Sequence, residues 1–580
     1  MVDVPFSAEP ITIVRIEQPF CENAHGAAPC TADGEPCFNT RSTCQDPENY
    51  IAGPTKKLYF GMPGEGRPAD DIYIFPLLRS VSTSAARVNV SGADKRASPL
   101  GVRARATIQF RDMPHTDRIV DPYLSARSYD PRDRGSFWSK WNERNRFARN
   151  GMIVSILEGY AGQALADMTR RVYIADLLGL SGADVGVGKC RDRLLKAEAD
   201  KAQIPRVSQG ELHSDIDATA TSIKVAAAVL DDYAAAGTIR INDEVMTYSA
   251  VVEDGSGFLD FTITARGSDN TEASDHDAED QVQQCFRFEG VTVDQGLRTV
   301  YEDFTEIPAA FLPFDDWTAE ADSHLTAYRL TGLISEPTAV KDIIGEILEQ
   351  AQAMQWWDER AQEVRFLAVK PIFDPPRDLN EEEHILAGSV KLREFVDRRV
   401  SRVYVYFDQR DPTVSVDEGE NYRKMQGSVA LEMEAPEVFG EPAIRKVYAR
   451  FVDSAAVALE TSARILARYK EGSREITFAL SDRDADLNVG EIVFLHLRRI
   501  QDASGLVAVK SWIITSREVQ HRQRRAVYTA EDATLAGVVS SIAPDTVGDW
   551  QGDGSDPFGV LFISDAAGLL PGGAPGFNIN

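Results

Sequence analysis

The sequence predicts a multidomain α+β protein: β-rich, barrel-like domains with packed helices, an inserted small β module and an extended carboxy-terminal tail. Three observations predict it. The chain has 580 residues, 43% hydrophobic and 26% charged, a globular composition long enough for several separate cores. Short alternating apolar stretches outnumber helical ones and do not pair with them one for one, which argues against a parallel α/β wind. The last fifty residues hold seven acids, nine glycines and four prolines with no lysine or arginine, the composition of a tail that lies along a partner or reaches toward one.

The elements follow in order. Residues 1–70 open with one strand, Ile11 to Ile16, and continue into a polar loop carrying four cysteines. Residues 71–212 form a β-rich domain. Its strand from Val102 to Phe110 alternates Arg103 and Arg105 with Ala104, Ala106, Ile108 and Phe110. Residues 213–284 form the inserted module, with strands at 238–241 and 244–248 joined by the turn pair Asn242 and Asp243. Residues 285–390 hold the clearest helix, which starts at Pro337 and continues through Val340, Ile343, Ile344, Ile347, Leu348, Ala351 and Met354 to end at Trp356 and Trp357. A strand returns at 364–369. Residues 391–530 repeat the alternation, with a strand at 400–407, a helix at 454–470 capped by Asp453 and closed by Gly472, and strands at 475–480 and 491–497. Residues 531–580 are the tail.

Sixty-two basic residues stand against 90 acidic ones, a net charge of −28. Nucleic-acid readers neutralise phosphates with clustered lysine and arginine, so this balance argues against such a role. It suits a soluble surface past which DNA slides without sticking. Between residues 103 and 149 the balance reverses, with ten arginines and one lysine against six acids. That stretch is either an ion-paired surface or a docking face for an acidic neighbour. No run of some 18 apolar residues exists to span a bilayer. The first twenty residues carry Asp3 and Glu9 and no apolar block, so they do not read as a secretory signal.

Of six cysteines, Cys21, Cys30, Cys37 and Cys44 cluster, while Cys190 and Cys285 stand apart. The density is far below that of a disulfide scaffold, and a polar loop gains folding energy from a bound metal. Structural zinc sites use close pairs of cysteines on one knuckle, which are absent here. A cubane iron–sulfur cluster takes four thiolates from a wrapping loop at wider intervals. The loop therefore reads first as a [4Fe-4S] site, with zinc as the alternative, and His25 lies within it.

Other motifs fall short. Ala183 to Cys190 nearly matches a phosphate-binding loop, but Ala183 replaces the first glycine and Cys190 the magnesium-binding hydroxyl. Asp482, Asp484 and Asp486 imitate a calcium loop that lacks its glycine and closing glutamate. No nucleophile elbow or zinc-protease motif occurs, and the residues offer no acid–base constellation, so no enzyme is expected.

The segment from Cys21 to Ala32, with Gly26 and Pro29 inside it, then Cys37 to Thr40 and Thr43 to Asp46, resembles the amino-terminal signature of baseplate hub (tail tip) proteins of long, non-contractile-tailed bacteriophages and gene transfer agents. His25 departs from the aromatic usual before this glycine and leaves the thiols in place. Further likeness is diffuse. Gly101 to Asp112, His115 to Asp117, Asp121 to Tyr123 and Gly135 to Lys140 look like the first hub barrel. Gly237 to Ile241, Asp243 to Tyr248, Arg266, Gly267 and His276 look like a module inserted in many tail proteins. Pro337, its helix and Trp356 to Asp358 look like the second hub domain, and Phe562 to Asp565 with Leu569 to Gly573 like the terminal segment.

The resemblance implies a homotrimer in the virion, assembled in the host cytoplasm and seated at the tail tip. It implies contacts with the distal tail protein, the tape-measure protein and a central fibre or receptor-binding protein. Genomic DNA would pass without specific binding, and no stable membrane insertion is implied. Hubs of the lambda and gene-transfer-agent kind carry an iron–sulfur cluster, so Cys21, Cys30, Cys37 and Cys44 are the expected ligands, acting as a structural staple. The rival readings are an iron–sulfur or zinc-dependent enzyme and a host-binding adhesin.

Overall fold

A strand buried at every position from Ile11 to Ile16 must be covered on both faces, and the first strand of the fold is. The computed structural model describes residues 8–32, 34, 36–53, 55–90, 98–180, 185–198, 201–369 and 377–533. Eight strands form the first sheet: β1 (Pro10–Gln18), β2 (Lys56–Phe60), β3 (Ile74–Phe75), β4 (Leu78–Ser84), β5 (Arg105–Arg111), β6 (Ile153–Tyr160), β7 (Thr169–Leu180) and β8 (Val185–Arg191). Their spatial order is β3-β2-β1-β6-β7-β8-β5-β4, antiparallel except between β2 and β3. The order has two ends, so the sheet is an open half-barrel rather than a closed one. Strands on both sides of residue 70 belong to it.

Val14 and Ile16 point into its main core, and Ile11 and Ile13 into a smaller cluster with Leu157 and Met168, as period-two alternation requires. Helix α1 (Phe137–Arg144) closes the main core with Phe137, Trp138 and Trp141. The Trp138 ring lies 4.5 Å from Phe110 and 5.5 Å from Phe60. A Cβ at Gly186 would stand 2.9 Å from the same indole, so glycine is required there by packing.

After the short strand β9 (Gln203–Ile204) comes a separate antiparallel sheet. It comprises β10 (Glu211–Leu212), β11 (Ser222–Ala226), β12 (Gly237–Ile241), β13 (Glu244–Glu253), β14 (Leu259–Ala265) and β15 (Gln283–Gln284), in the order β10-β11-β14-β13-β12-β15. Asn242 turns β12 into β13 in the left-handed region, at φ 51°, a conformation asparagine tolerates. Ile223, Val225, Ile239, Ile241, Met246 and Phe261 form its own core. Beside that core the fully buried Glu244 accepts from Arg266 at 2.7 and 2.8 Å and from the Gly267 and Ser274 N–H groups at 2.9 Å, and His276 Nε2 lies 2.9 Å away. Burial alone would raise this carboxyl, but Arg266 and the backbone donors outweigh it and hold it at about 2.

The next core is assembled from two stretches of chain. The first runs through β16 (Phe286–Thr292), α2 (Val293–Phe304), α3 (Phe314–His324), β17 (Arg329–Ile334), β18 (Thr338–Ala339), α4 (Val340–Ala351), β19 (Ala353–Asp358) and β20 (Glu363–Ala368). The chain then leaves for β21 (Arg377–Asn380) and β22 (Lys391–Phe395). It returns with β23 (Arg402–Gln409), β24 (Tyr422–Val429), β25 (Ile444–Ala449) and α5 (Ala455–Tyr469), of which β23, β25 and α5 pack into the same core. The last four strands, β26 (Ser473–Ser481), β27 (Ile492–His496), β28 (Lys510–Gln520) and β29 (Arg525–Asp532), join the two that left, in the order β21-β27-β28-β29-β26-β22. The expected tail from residue 534 on, with the likeness at Phe562 and Leu569, lies outside the described residues; Glu531 and Asp532 complete β29.

The sequence expectations for two helices are corrected here. Helix α4 begins at Val340 rather than at Pro337, because Thr338 and Ala339 pair with Ile204 and Gln203 of β9. It ends at Gln352, in the left-handed region at φ 50°. Met354, Trp356 and Trp357 are therefore strand residues of the β19–β20 hairpin, with Met354 and Trp356 facing one cluster and Trp357 the other. At α5 the capping position is Ser454, not Asp453.

The lobes meet around Val88, Val90, Met354, Trp356 and Ile513. Val88 N–H donates to the Thr515 carbonyl at 3.0 Å, and Arg87 pairs with Glu475. At the tip of the β19–β20 hairpin Glu359 enters the first lobe, 3.5 Å from the Tyr173 hydroxyl and 3.9 Å from Arg171, which itself holds Glu158 at 2.9 Å. Burial pushes the Glu359 carboxyl up to about 7; Arg171 works against this, and Asp192 and Glu158 reinforce it.

Two predictions follow from these buried carboxylates. Glu244→Ala leaves Arg266 and His276 without their partner, and denaturant titration of the protein should show the 211–284 sheet destabilised by about 3–5 kcal/mol. The Glu244 contribution is present above the ordinary carboxyl value of 4.5 and is lost as pH falls toward 2. Glu359 has the opposite sign: its contribution is present below 4.5 and is lost as pH rises through about 7. Glu359→Gln should therefore flatten the pH dependence of thermal stability across that interval, while wild type loses stability.

Candidate cofactor site in the four-cysteine loop

The loop springs from the end of β1. Its neck is closed by an antiparallel bridge between Cys21 and Ala52, with Glu22 N–H on the Ile51 carbonyl at 2.9 Å and Gly53 N–H on the Phe20 carbonyl at 2.7 Å. A Cβ at Gly53 would come within 3.0 Å of the Glu22 backbone, so any larger residue there would press the two sides of the neck apart by a few tenths of an ångström. Trp141 Nε1 donates to Gln18 at 2.8 Å just before it.

Within the loop, Asn39 adopts φ 55°. Its carbonyl accepts from Cys21 N–H at 2.7 Å and its own N–H lies 3.2 Å from Cys37 Sγ. Asp46 accepts from the Thr31 backbone at 2.7 Å and from Asn49, tying the Cys30 arm to the Cys44 arm. A short helical turn at Arg41–Thr43, braced by Thr40 and Thr43 hydroxyls 3.0 Å apart, delivers Cys44.

All four cysteines are free and partly exposed. They line one cavity together with Asn23, His25, Asn39, Asp46 and Tyr50, enclosing about 320 Å³ of space partly open to solvent. Burial raises the Cys37 thiol, and the neighbouring Cys44, Cys30 and Cys21 add to this, while the Asn39 N–H works against it. His25 Nδ1 is buried in the same cavity wall and makes no hydrogen bond. Among the described residues no three of His, Cys, Asp or Glu converge as tightly as a single metal ion requires.

The loop is held from outside by residues that spacing does not reveal. Tyr123 meets Asn39 and His25, and Arg127 meets the Cys37 carbonyl. Arg127 and Arg144 lie over the Phe38 ring. These groups stand between about 80 and 120 positions from the cysteines, so no local period signals them.

The other singled-out residues take structural positions. The reversed-charge stretch is largely engaged within the chain. Arg103 is buried and donates to the Leu100 carbonyl at 3.1 Å, Arg118 covers Tyr73, Arg127 pairs with Asp121, Arg132 with Asp130 and Arg144 with Asp117. Arg105 and Arg111 face solvent on β5. The phosphate-loop-like residues from Val185 on are strand β8, with Gly186 against Trp138 and Cys190 buried; Ala183 lies outside the described residues. Asp482 is held by Arg524 at 2.7 Å, Asp486 pairs with Arg377, and Asp484 accepts from Ser481 at 3.3 Å. Among the described residues no helix is long and apolar enough to cross a membrane.

No protein-family profile and no curated protein matches the sequence. Solved structures do resemble it. The 43 kDa tail protein of prophage MuSo2 from Shewanella oneidensis is 8% identical, with a TM-score of 0.35 over 78% of this chain and 97% of that one. A chain from the virion of a native gene transfer agent particle is 12% identical, with a TM-score of 0.30 over 54% of this chain and 78% of that one. An E. coli type VI secretion component, described as structurally similar to the T4 bacteriophage tail proteins gp27 and gp5, is 9% identical. Its TM-score is 0.30 over 78% of this chain and 73% of its own.

The engagement of Asp482 and Asp486 by arginines predicts the calcium response. Adding millimolar calcium to the metal-free protein should leave its Tm unchanged; a rise that Asp484→Asn abolishes would mean that the turn binds the ion.

Proposed function

We propose that this chain is a structural hub of a phage-type tail tip. In this reading three copies form a ring that joins the tail tube to a central fibre or receptor-binding protein. The distal tail protein lies above, the tape-measure protein inside, and DNA passes through on ejection. The observation that carries the reading is the cysteine loop. Its sequence resembles the hub signature, and its four thiols, spread over residues 21–44, line one cavity.

The donor set suits an iron–sulfur cluster. A zinc ion needs each sulfur about 2.3 Å from one centre, whereas a cubane cluster places its four thiolates on four different irons and so spreads them. Four thiols lining one cavity supply the number of donors that such a cluster takes. Cys21, Cys30, Cys37 and Cys44 would hold the cluster, with the partnerless His25 Nδ1 at its edge. What the cluster supplies when bound is a cross-link between the arms of the loop. The role is structural rather than catalytic, since the buried carboxylate Glu244 is committed to holding strands together and the glycines of the near phosphate loop are packing residues. A net charge of −28 per copy favours a passage that DNA does not adhere to.

Native mass spectrometry of anaerobically purified protein tests both parts at once. A trimer with one iron–sulfur cluster per chain is expected, and Cys30→Ser should lose the cluster. A zinc-loaded trimer would retain the hub and replace the cofactor. A metal-loaded monomer that forms no trimer on purified tail tubes would overturn the hub, and Cys30→Ser protein that assembles with an ordered loop would overturn the staple.

A further inference from the structure

The cysteine loop has two sets of supports. One lies within the loop and consists of the Asn39 and Asp46 hydrogen bonds. The other reaches in from residues 117–144. The Tyr123 hydroxyl accepts from His25 N–H at 2.8 Å and donates to Asn39 Oδ1 at 2.8 Å. Arg127 donates Nη2 to the Cys37 carbonyl at 2.7 Å while its Nε and Nη2 grip Asp121 at 2.7 and 3.0 Å. The Arg127 and Arg144 guanidinium carbons lie 4.3 and 3.8 Å from the Phe38 ring centroid. Asp117 anchors Arg144 and Lys140, each at 2.7 Å.

We infer that Tyr123, Arg127 and Arg144 form a clamp that fixes the Cys37 arm of the loop before any cofactor binds. Phe38 sits between Cys37 and Asn39, and the Asn39 N–H meets the Cys37 sulfur. Whatever fixes Phe38 and Asn39 therefore fixes that thiol. The contacts are of the strong kind: charge-assisted hydrogen bonds between largely buried partners, and guanidinium on an aromatic face. A polar loop with few apolar side chains otherwise depends on its metal for order; here the protein supplies part of that order itself. The clamp is also selective. It touches Cys37, Phe38, Asn39 and His25, whereas among the described residues Cys30 and Thr31 are tied inside the loop, through Thr31 to Asp46 and a Cys30 N–H bond of 2.9 Å to the Ala27 carbonyl. Tyr123, Arg127 and Arg144 are positioning residues for one thiol of the four. The inference rests on the cofactor reading only for its second arm.

The test uses the full-length chain freed of metal anaerobically, with iodoacetamide as the thiol probe. Tyr123→Phe removes one hydroxyl at constant shape, and Arg127→Gln removes the fork and the stack. In both, alkylation of Cys37 should accelerate at least about tenfold, since Tyr123→Phe loses two hydrogen bonds and Arg127→Gln loses the guanidinium fork, each bond being of modest net worth. Cys30 should react at its wild-type rate, and hydrogen exchange in β6 and β7 should not change. Wild-type reactivity at Cys37 in both variants, or equal acceleration at all four thiols, overturns the clamp. In the second arm the chains are reconstituted with iron and sulfide. Loss of the cluster to a chelator should be at least about tenfold faster in the variants, and the electron paramagnetic resonance signal of the reduced cluster should shift as the Cys37 sulfur moves. An unchanged rate and signal overturn the positioning role. If wild type takes up neither iron nor zinc, the cofactor reading falls, and the alkylation arm alone decides the clamp.

Discussion

The seating of Trp138 in the first sheet is the constraint from which the cysteine site follows. The indole is fully buried between Phe60 and Phe110 and leaves no room for a side chain at position 186. A ring held on several sides fixes helix α1 in both position and rotation. That helix carries Trp141 to Gln18, where the cysteine loop departs, and carries Lys140 and Arg144 to Asp117. The hydrophobic core thus sets the coordinates of a polar loop that has almost no core of its own. Asn39 then transmits the placement inward through a backbone conformation that costs asparagine less than most residues.

Charge is handled in the same economical way. The chain is strongly acidic overall, and several arginines of the 103–149 stretch are engaged within it, on Asp117, Asp121, Leu100, Phe38 and Tyr73, while Arg105, Arg111 and Arg146 remain exposed. A guanidinium can satisfy a carboxylate, a carbonyl and an aromatic face at once. Composition shows the excess of arginine but not its direction, so the share of it spent inside the chain was not legible in the sequence.

Alternation was the legible signal. Val403, Val405 and Phe407 are buried while Tyr404 and Tyr406 are half-exposed, as their spacing requires. The cysteine loop was legible because thiols are rare and their clustering is local. Positions where tertiary pairing competes with local preference were misread. Thr338 and Ala339 follow a proline suited to a first helical turn, but their backbone is satisfied by a strand more than a hundred residues earlier. Met354 continues the apolar helical period by coincidence, since Gln352 has already reversed the chain. Tyr123 and Arg127 reach the site through the placement of α1 and its preceding loop, information that resides in packing rather than in any window of sequence.

The interleaving of the last two cores bears on how the molecule is made. Strands β21 and β22 emerge from the ribosome about eighty to ninety residues before β26, and β29 closes their sheet only at Asp532. Until then two strands wait with open edges, the form in which a nascent chain pairs with the wrong partner. The α5 helix and its three-stranded sheet intervene and fold locally onto a core already half built, so the waiting time is occupied by a nearby, short-range step. Completion of this sheet thereby waits until synthesis has passed Asp532: a chain released before β29 carries an unfinished sheet, open to proteolysis.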